Sequence, residues 1–215
     1  MTQVSISRIH FPVTTLGPGR RIGLWFQGCS IRCPGCISVD TWDAGRNLVD
    51  AADVVDRLRE LSGSCDGLTV SGGEPFDQPD ALAEILYGWR RHSATPTLVF
   101  TGREMQDVAG WFDVHPNLVD VVMTGPFRSD LPQTAALRGS DNQTLHVLTE
   151  RGSAFRAYDR VAGVGDRRLD VMFDDVGDAW FAGIPARGDL SKLRRLLARE
   201  GHSASTSASI RETVR

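Results

Sequence analysis

The stretch IGLWFQGCSIRCPGC, residues 22–36, runs from a short apolar strand candidate directly into a cysteine-rich loop. Cys29, Cys33 and Cys36 follow the spacing CxxxCxxC, and the Pro-Gly pair between the last two suits a tight loop around a metal centre. Three thiolates can hold three corners of a four-iron cluster and leave the fourth iron open to a further ligand. The spacing therefore bears on mechanism as well as on metal binding.

Two other interpretations of the cysteine run stay open at this point: a zinc site, or three unrelated buried thiols. Structural zinc usually has four ligands, often in two pairs, but the chain has no second cysteine pair and no histidine near the run. The fourth cysteine, Cys65, stands alone before a strand candidate and is expected to be a small core residue. The spacing favours an iron–sulfur cluster with three cysteine ligands.

The composition indicates a globular protein of the cytoplasm. With 215 residues, 41% of them apolar and 24% charged, the chain can bury a core without disulfide staples. A net charge of −3 without a basic cluster gives no reason to expect nucleic-acid binding. No apolar run approaches the roughly 18 residues of a membrane span, and the N-terminus does not resemble a secretory signal. Three crowded cysteines are not a secreted disulfide framework, so we expect a reducing cytoplasm.

Strand and helix patterns alternate along most of the chain, which predicts an α/β fold with a parallel sheet. Strands are predicted at residues 4–9, 22–26, 68–70, 97–100, 118–123 and 145–148, and helices at 49–61, 79–91 and 104–112.

Four of these strands end in turns that can build a site. Because the carboxyl ends of parallel strands meet at one edge of a sheet, we expect the turns to converge there. Taken alone, the turn Ser71-Gly72-Gly73-Glu74-Pro75 is only weak evidence for a ligand site. An ordinary strand-to-helix turn with an acidic residue near the helix start has the same sequence pattern. Its glycines would let the backbone approach a ligand, and its carboxylate could accept hydrogen bonds from an ammonium. The four turns are the cysteine loop, this SGGEP turn, Thr101-Gly102 and Thr124-Gly125-Pro126.

The C-terminal part has a different pattern. Residues 169–173 and 179–184 predict a hairpin around 174–177, and a short helix is expected over residues 190–197. Residues 201–215 are small and polar without periodicity, so we expect a disordered tail.

The run CSIRCPGC followed by SGGEP resembles the radical S-adenosylmethionine (SAM) superfamily. The string GPGRRIGLWFQGCSIRCPGCISVDTWD resembles the activating proteins of glycyl radical enzymes. Within these, VMTGPFRSDLPQTAALRGSDNQTLHVL is similar to the C-terminal part of the group that activates anaerobic ribonucleotide reductase, notably at Arg138-Gly139-Ser140 and Asn142-Gln143. The resemblance implies a partial, open (β/α)6-type barrel of about six strands. We expect one domain over residues 1–200, in which the resemblance covers a core at about 11–148 and the sequence pattern adds a hairpin and helix at about 168–199.

The resemblance also implies the site. Cys29, Cys33 and Cys36 would ligate a [4Fe–4S] cluster whose fourth iron is chelated by SAM, with Glu74 nearest the SAM ammonium. No side chain is expected to act as a catalytic residue, because the 5′-deoxyadenosyl radical abstracts the hydrogen. The residues implied to contact SAM are Gly72, Gly73, Glu74, Pro75, Thr101 and Gly102.

The partner implied is a glycyl radical enzyme whose backbone glycine loses its Cα hydrogen, with a reductant such as flavodoxin or ferredoxin. An alternative is a radical SAM enzyme that acts directly on a precursor peptide or small metabolite. A third hypothesis, from another class, is a non-enzymatic iron–sulfur or zinc binding protein. Cleavage of SAM to 5′-deoxyadenosine separates the first two from the third.

Overall fold

The computed structural model describes residues 2–173 and 179–202. The strands are β1 (Gln3–Val13), β2 (Arg21–Phe26), β3 (Leu48–Asp50), β4 (Gly67–Gly72), β5 (Thr97–Phe100), β6 (Val121–Thr124), β7 (Thr144–Val147), β8 (Leu169–Phe173) and β9 (Ala179–Gly183). The α-helices are α1 (Ala51–Ser62), α2 (Pro79–His92), α3 (Met105–Val114) and α4 (Asp189–Arg199).

A seven-stranded sheet in the order β3-β1-β2-β4-β5-β6-β7 forms the centre of the fold. Strands β2, β4, β5 and β6 are parallel, as the alternating pattern predicted. One register row passes through their middle and pairs Leu24 with Val70, Val70 with Val99, and Val99 with Val122. All four side chains are fully buried, which explains why these strands are continuous apolar runs in the sequence.

The outer strands β1, β3 and β7 pair antiparallel to their neighbours, so the sheet is mixed with a parallel centre. The antiparallel pairing follows from the segments that connect these strands to their neighbours. A short turn joins β1 to β2, and no α-helix separates β6 from β7, whereas a parallel pair needs a crossover, usually helical. The sheet has seven strands rather than about six. In the described ranges it ends at β3 and β7, and no sheet closes into a barrel.

Two elements begin two or three residues later than the sequence predicts, and β1 continues to Val13, four residues beyond its predicted end. The helix expected over residues 49–61 begins at Ala51, because the preceding β3 pairs with the start of β1. The strand expected over residues 118–123 begins only at Val121, because its first residues lie in the turn before β6. Apolar residues fill this turn and extend the strand-like pattern: Leu118 and Val119 are buried in the core.

The helices cover one face of the parallel strands with apolar side chains. The apolar face of α2 is buried at Leu82, Ile85, Leu86 and Trp89. Each such side chain contributes about 1.5–3 kcal/mol when fully buried. Helix α1 packs beside α2 so closely that a Cβ on Gly88 would lie 2.4 Å from the side chain of Val55.

Strands β8 and β9 pair antiparallel in a separate two-stranded sheet. Met172 and Ala182 from this sheet pack against Val13, Leu16 and Trp25 of the main body. The turn expected around residues 174–177 lies outside the described residues, as does the predicted tail beyond His202. In the part of the chain that is described, no helix is long and apolar enough to cross a membrane.

Candidate cluster and cofactor site

The loops that follow β2, β4, β5 and β6 lie together at one edge of the sheet and are joined by hydrogen bonds. The amide of Glu74 donates to the carbonyl of Gly28 at 2.8 Å, which ties the β4 turn to the cysteine loop. The amide of Gly102 donates to the Glu74 carboxylate at 2.9 Å, which ties the β5 loop to the β4 turn. The amide of Gly125 donates to the carbonyl of Arg103 at 2.9 Å, which adds the β6 loop. The expected convergence of the four turns is therefore present.

Gly72 and Gly73 allow the β4 turn to touch the cysteine loop. Gly72 has φ +105°, and a Cβ there would lie 2.4 Å from the carbonyl oxygen of Phe26. A Cβ on Gly73 would lie 2.0 Å from the carbonyl oxygen of Gly28. Real Cβ atoms do not approach backbone oxygens so closely, so both positions require glycine for packing within the protein. The sequence had suggested only that they let the backbone approach a ligand.

Glu74 is 1% exposed and its carboxylate connects the β4 and β5 loops. Oε1 accepts hydrogen bonds from the Phe76 amide at 3.0 Å and from Thr101 Oγ1 at 2.8 Å, and Oε2 accepts one from the Gly102 amide. Burial raises the pKa of Glu74, and these hydrogen bonds lower it only in part. A carboxylate offers about four lone-pair positions, so one on Oε2 is left for a further donor.

Asp77 is a site residue that the sequence reasoning missed. It ends the 3₁₀ turn Pro75–Asp77, which begins at the buried Pro75. Asp77 accepts hydrogen bonds from the amide and hydroxyl of Ser30 at 2.6 and 2.8 Å, and it forms an ion pair with Arg103 at 2.6 Å. It thereby fastens the cysteine loop to the β5 loop. Only its position three residues after Glu74 could have drawn attention to it.

The cysteine loop owes its shape to three residues with positive φ: Gly28 at +100°, Arg32 at +50° and Gly35 at +77°. The amide of Cys36 donates to the carbonyl of Cys33 at 3.1 Å and closes the tight turn that the Pro-Gly pair predicted. Because of these turns, the chain after β2 bends around the three thiols and does not extend the strand.

The three loop cysteines are free and half-buried. Burial raises the pKa of the Cys33 and Cys36 thiols, and charge repulsion among the three sulfurs, Cys29 included, raises both further. Backbone groups oppose this shift: the backbone of Phe127 lowers the pKa of Cys33, and the amide of Ser38 donates to Cys36 Sγ at 3.4 Å and lowers the pKa of Cys36. The thiols are therefore close enough for their charges to interact, and Cys36 Sγ already receives an N–H donor.

The donor set fits a cluster better than a single ion. Among the described residues, no three His, Cys, Asp or Glu side chains are grouped to hold one metal ion. A four-iron cluster makes a different demand, because each thiolate binds a separate iron of a larger body. N–H groups directed at the sulfurs are the environment that tunes such clusters.

Two buried polar atoms at the same edge have no hydrogen-bond partner in the described part of the chain. They are Arg103 Nε, a donor, and Asn142 Oδ1, an acceptor. Leaving a buried polar group unpaired costs about 1–3 kcal/mol, so such atoms call for an explanation. A polar ligand bound at this edge would give both atoms a hydrogen-bond partner. The residues present therefore fit a polar cofactor beside the cluster.

Cys65 and His146 both lie in structural surroundings. Cys65 is buried in the main core, as expected. His146 is half-buried on β7, where its Nε2 lies 3.1 Å from the hydroxyl of Thr124 on β6.

The chain is similar to a family of cluster-binding domains and to activating proteins from several organisms. Residues 15–146, which span all four loops, match the family described as a 4Fe-4S single cluster domain. The anaerobic ribonucleoside-triphosphate reductase-activating protein of Salmonella typhi is 31% identical over 65% of this chain and 96% of that protein. The pyruvate formate-lyase-activating enzyme of Listeria monocytogenes is 41% identical over 40% of this chain and 38% of that enzyme. Among solved structures, QueE from Escherichia coli aligns with a TM-score of 0.39 and 15% identity, over 46% of this chain and 52% of QueE.

Proposed function

The chain belongs to the families of 4Fe-4S single cluster domains and of anaerobic ribonucleoside-triphosphate reductase-activating proteins, and we propose from this that it activates a glycyl radical enzyme. It is a radical SAM enzyme with a [4Fe–4S] cluster. The observation that carries the proposal is the meeting of four loops at one sheet edge, with three free thiols on the first of them.

Cys29, Cys33 and Cys36 would hold the cluster and leave one iron for the amino and carboxylate groups of SAM. When bound, the reduced cluster and SAM supply a 5′-deoxyadenosyl radical that can abstract a hydrogen atom. The donor set of three half-buried thiols supports this assignment.

The SAM contacts we propose lie on the next two loops, at Gly72, Gly73, Glu74, Pro75, Thr101 and Gly102. The hydrogen bonds of Glu74 make the β4 and β5 loops one rigid unit before any ligand binds. Its remaining lone pair could accept a hydrogen bond from the SAM ammonium. The unpaired Arg103 Nε and Asn142 Oδ1 offer a further donor and acceptor.

In fold terms, we propose that β2, β4, β5 and β6 are the parallel core of a partial, open barrel of the radical SAM kind. Strands β8 and β9 and helix α4 would be an addition to that single domain. A reductant such as flavodoxin or ferredoxin would deliver the electron. Because free cysteine ligands need reducing surroundings, we place the protein in the cytoplasm.

The partner can be tested by isotope transfer. An anaerobic ribonucleotide reductase large subunit from the same source would be prepared with α-deuterated glycine and incubated anaerobically with the reconstituted protein, SAM and dithionite. We expect a glycyl radical signal by electron paramagnetic resonance and deuterium in the 5′-deoxyadenosine. A protein that cleaves SAM but gives neither signal would contradict the activase assignment and favour a peptide or small metabolite as substrate.

A further inference from the structure

The segment after the cysteine loop, residues 38–43, folds back and pairs with the start of that loop. The amide of Gly28 donates to the carbonyl of Thr41 at 2.8 Å, and the amide of Cys29 donates to the carbonyl of Trp42 at 3.1 Å. We call residues 38–43 the return segment. One of the three loop cysteines is therefore bonded through its backbone to a segment that holds no cysteine.

Buried polar side chains add to this pairing. Gln27 is 4% exposed, and its Nε2 donates to the carbonyls of Asp40 and Asp43 at 3.2 and 2.8 Å. Thr41 is 1% exposed, and its hydroxyl donates to the carbonyl of Ser38 at 2.7 Å. Because these donors are buried, loss of the bonds would leave them unpaired, so they hold the return segment against the end of β2.

Arg8 joins the return segment to the main sheet. It lies on β1, where it pairs in register with Trp25 on β2. Its guanidinium forms an ion pair with the carboxylate of Asp40, and the two side chains are only 22% and 34% exposed. Partial burial matters because water and salt screen such a pair less than one on the open surface. The ion pair therefore fastens the middle of the return segment to β1.

The indole ring of Trp180, on β9, covers the guanidinium of Arg8. The guanidinium carbon lies 4.1 Å from the centroid of the ring, which is the geometry of a cation–π contact. The same ring meets Trp25 edge-on, with the two centroids 6.4 Å apart. The ring attracts the cation and excludes water from it, so it strengthens the ion pair with Asp40.

The sheet that carries Trp180 is itself anchored on the main body. The Asp170 carboxylate accepts hydrogen bonds from the amide and hydroxyl of Thr14 at 2.6 and 2.7 Å, and from those of Thr15 at 3.2 and 2.9 Å. On the same face of the β8–β9 sheet, Met172 and Ala182 are buried against the main body. Trp180 is therefore held over Arg8 by its own sheet and not by the return segment.

We propose that Arg8 is a positioning residue through which the β8–β9 sheet braces the return segment, and that this brace slows loss of the cluster. The inference rests on the proposed function, since it requires Cys29 to be a cluster ligand. Iron is released when the cysteine loop opens, and opening separates Gly28 and Cys29 from the return segment. Arg8 and Trp180 both lie outside residues 15–146, which match the cluster-domain family, so the brace is no part of the matched region.

Two variants remove the brace. Arg8→Met deletes the charge from a side chain of similar length, and Trp180→Ala deletes the ring. Arg8→Lys and Trp180→Phe are the conservative partners, which keep a cation and an aromatic face. Arg57→Met is the matched control, because Arg57 pairs with Glu60 on the open surface of α1.

Two measurements follow the brace. Iron loss from each reconstituted full-length protein would be measured anaerobically with dithionite and the ferrous chelator bathophenanthroline disulfonate. Hydrogen exchange of the metal-free chains, read by mass spectrometry, would report on the amides of Gly28 and Cys29 without any dependence on cluster binding. The amides of α2 serve as an internal reference for the stability of the whole fold.

We expect Arg8→Met and Trp180→Ala to bind as much iron as the wild type but to lose it about tenfold faster, the factor expected for one partly desolvated cation–π contact. Exchange at Gly28 and Cys29 should accelerate by a similar factor, while exchange in α2 stays unchanged. Both conservative variants should recover most of the wild-type rate of iron loss, and Arg57→Met should keep it. Arg8→Met keeps the test decisive if Trp180→Ala does not fold, because the Arg8 side chain is partly exposed and outside the apolar core.

Three results would overturn the inference. Full iron loading with an unchanged rate of iron loss means that the brace does not hold the cysteine loop. Faster iron loss with equally accelerated exchange in α2 means that the variants destabilise the whole fold. A wild-type chain that binds no cluster overturns the proposed function as well, whereas the first two results leave that function standing.

Discussion

Cys33 and Cys65 carry the same thiol in opposite surroundings, and the difference defines what each can do. Cys33 lies half-buried on a loop with two other thiols, and burial raises its pKa. Cys65 is buried among apolar side chains of the core. The sequence spacing was enough to separate them, because three cysteines in eight residues leave one outlier.

This contrast gives a matched pair of variants. Cys33→Ala should reduce the iron content after reconstitution to near zero, because a cluster held by two thiolates is labile. Cys65→Ala should bind as much iron as the wild type, because it removes only a small core contact. Iron and sulfide analysis with absorption spectra would check both. An intact cluster spectrum in Cys33→Ala would refute the ligand assignment.

Glu74 should leave a signature in the pH dependence of stability. Burial raises its pKa above the ordinary value of 4.5, so the folded chain binds this proton more tightly than the unfolded chain does. The free energy of unfolding should therefore fall as the pH rises from 4.5 through the raised pKa. Glu74→Gln should lack this contribution to the slope. Urea denaturation of both metal-free chains across the pH series would reveal it, and identical slopes would argue against it.

At the scale of elements, the site depends on contacts between loops that are far apart in sequence. The sequence predicted which strands carry the turns and that the turns share one edge. It could not predict that Gly73 contacts Gly28, or that Asp77 bonds to Ser30, because such contacts depend on strand order and register. The antiparallel direction of the edge strands could not be predicted from the local sequence pattern either, because it depends on how the strands are connected.

Gly73→Ala tests the contact between the β4 turn and the cysteine loop. The added Cβ would overlap the carbonyl oxygen of Gly28, so we expect a loss of about 1–3 kcal/mol in the free energy of unfolding, with weaker cluster binding. Gly110→Ala on α3 is the control, because no atom lies within 4 Å of its added Cβ. That change should stabilise the chain by about 0.5–1 kcal/mol. Equal effects of the two substitutions would show that the close contact is unimportant.

Across the whole molecule, the two ends of the parallel strands have different roles, one functional and one structural. The loops at the carboxyl ends carry the site, whereas a buried ion-pair network lies at the opposite end. Asp120 is fully buried there and pairs with Arg90 and Arg151, and it accepts a hydrogen bond from the amide of Thr97 at 2.7 Å. No local pattern in the sequence indicates this network, because Asp120 lies in an apolar run and its partners lie on distant elements.

Asp120→Ala should lower the stability of the fold without changing the chemistry of the site. It leaves two arginines without their shared carboxylate, so we expect the free energy of unfolding to fall by about 3–5 kcal/mol. Iron content and SAM cleavage at low temperature should remain close to wild type. Asp56→Ala, which removes an exposed ion pair with Arg59, should change stability little. A loss of cluster binding in Asp120→Ala at a temperature where the chain is folded would contradict this division.

The central claim is that the four loops hold a cluster and SAM together for radical chemistry. The most direct measurement is anaerobic incubation of the reconstituted, dithionite-reduced protein with SAM, followed by quantitation of 5′-deoxyadenosine. We predict that the wild type produces 5′-deoxyadenosine and that Cys33→Ala produces none. A wild-type protein that carries a full complement of iron and sulfide, accepts the electron and yet forms no 5′-deoxyadenosine would contradict the account.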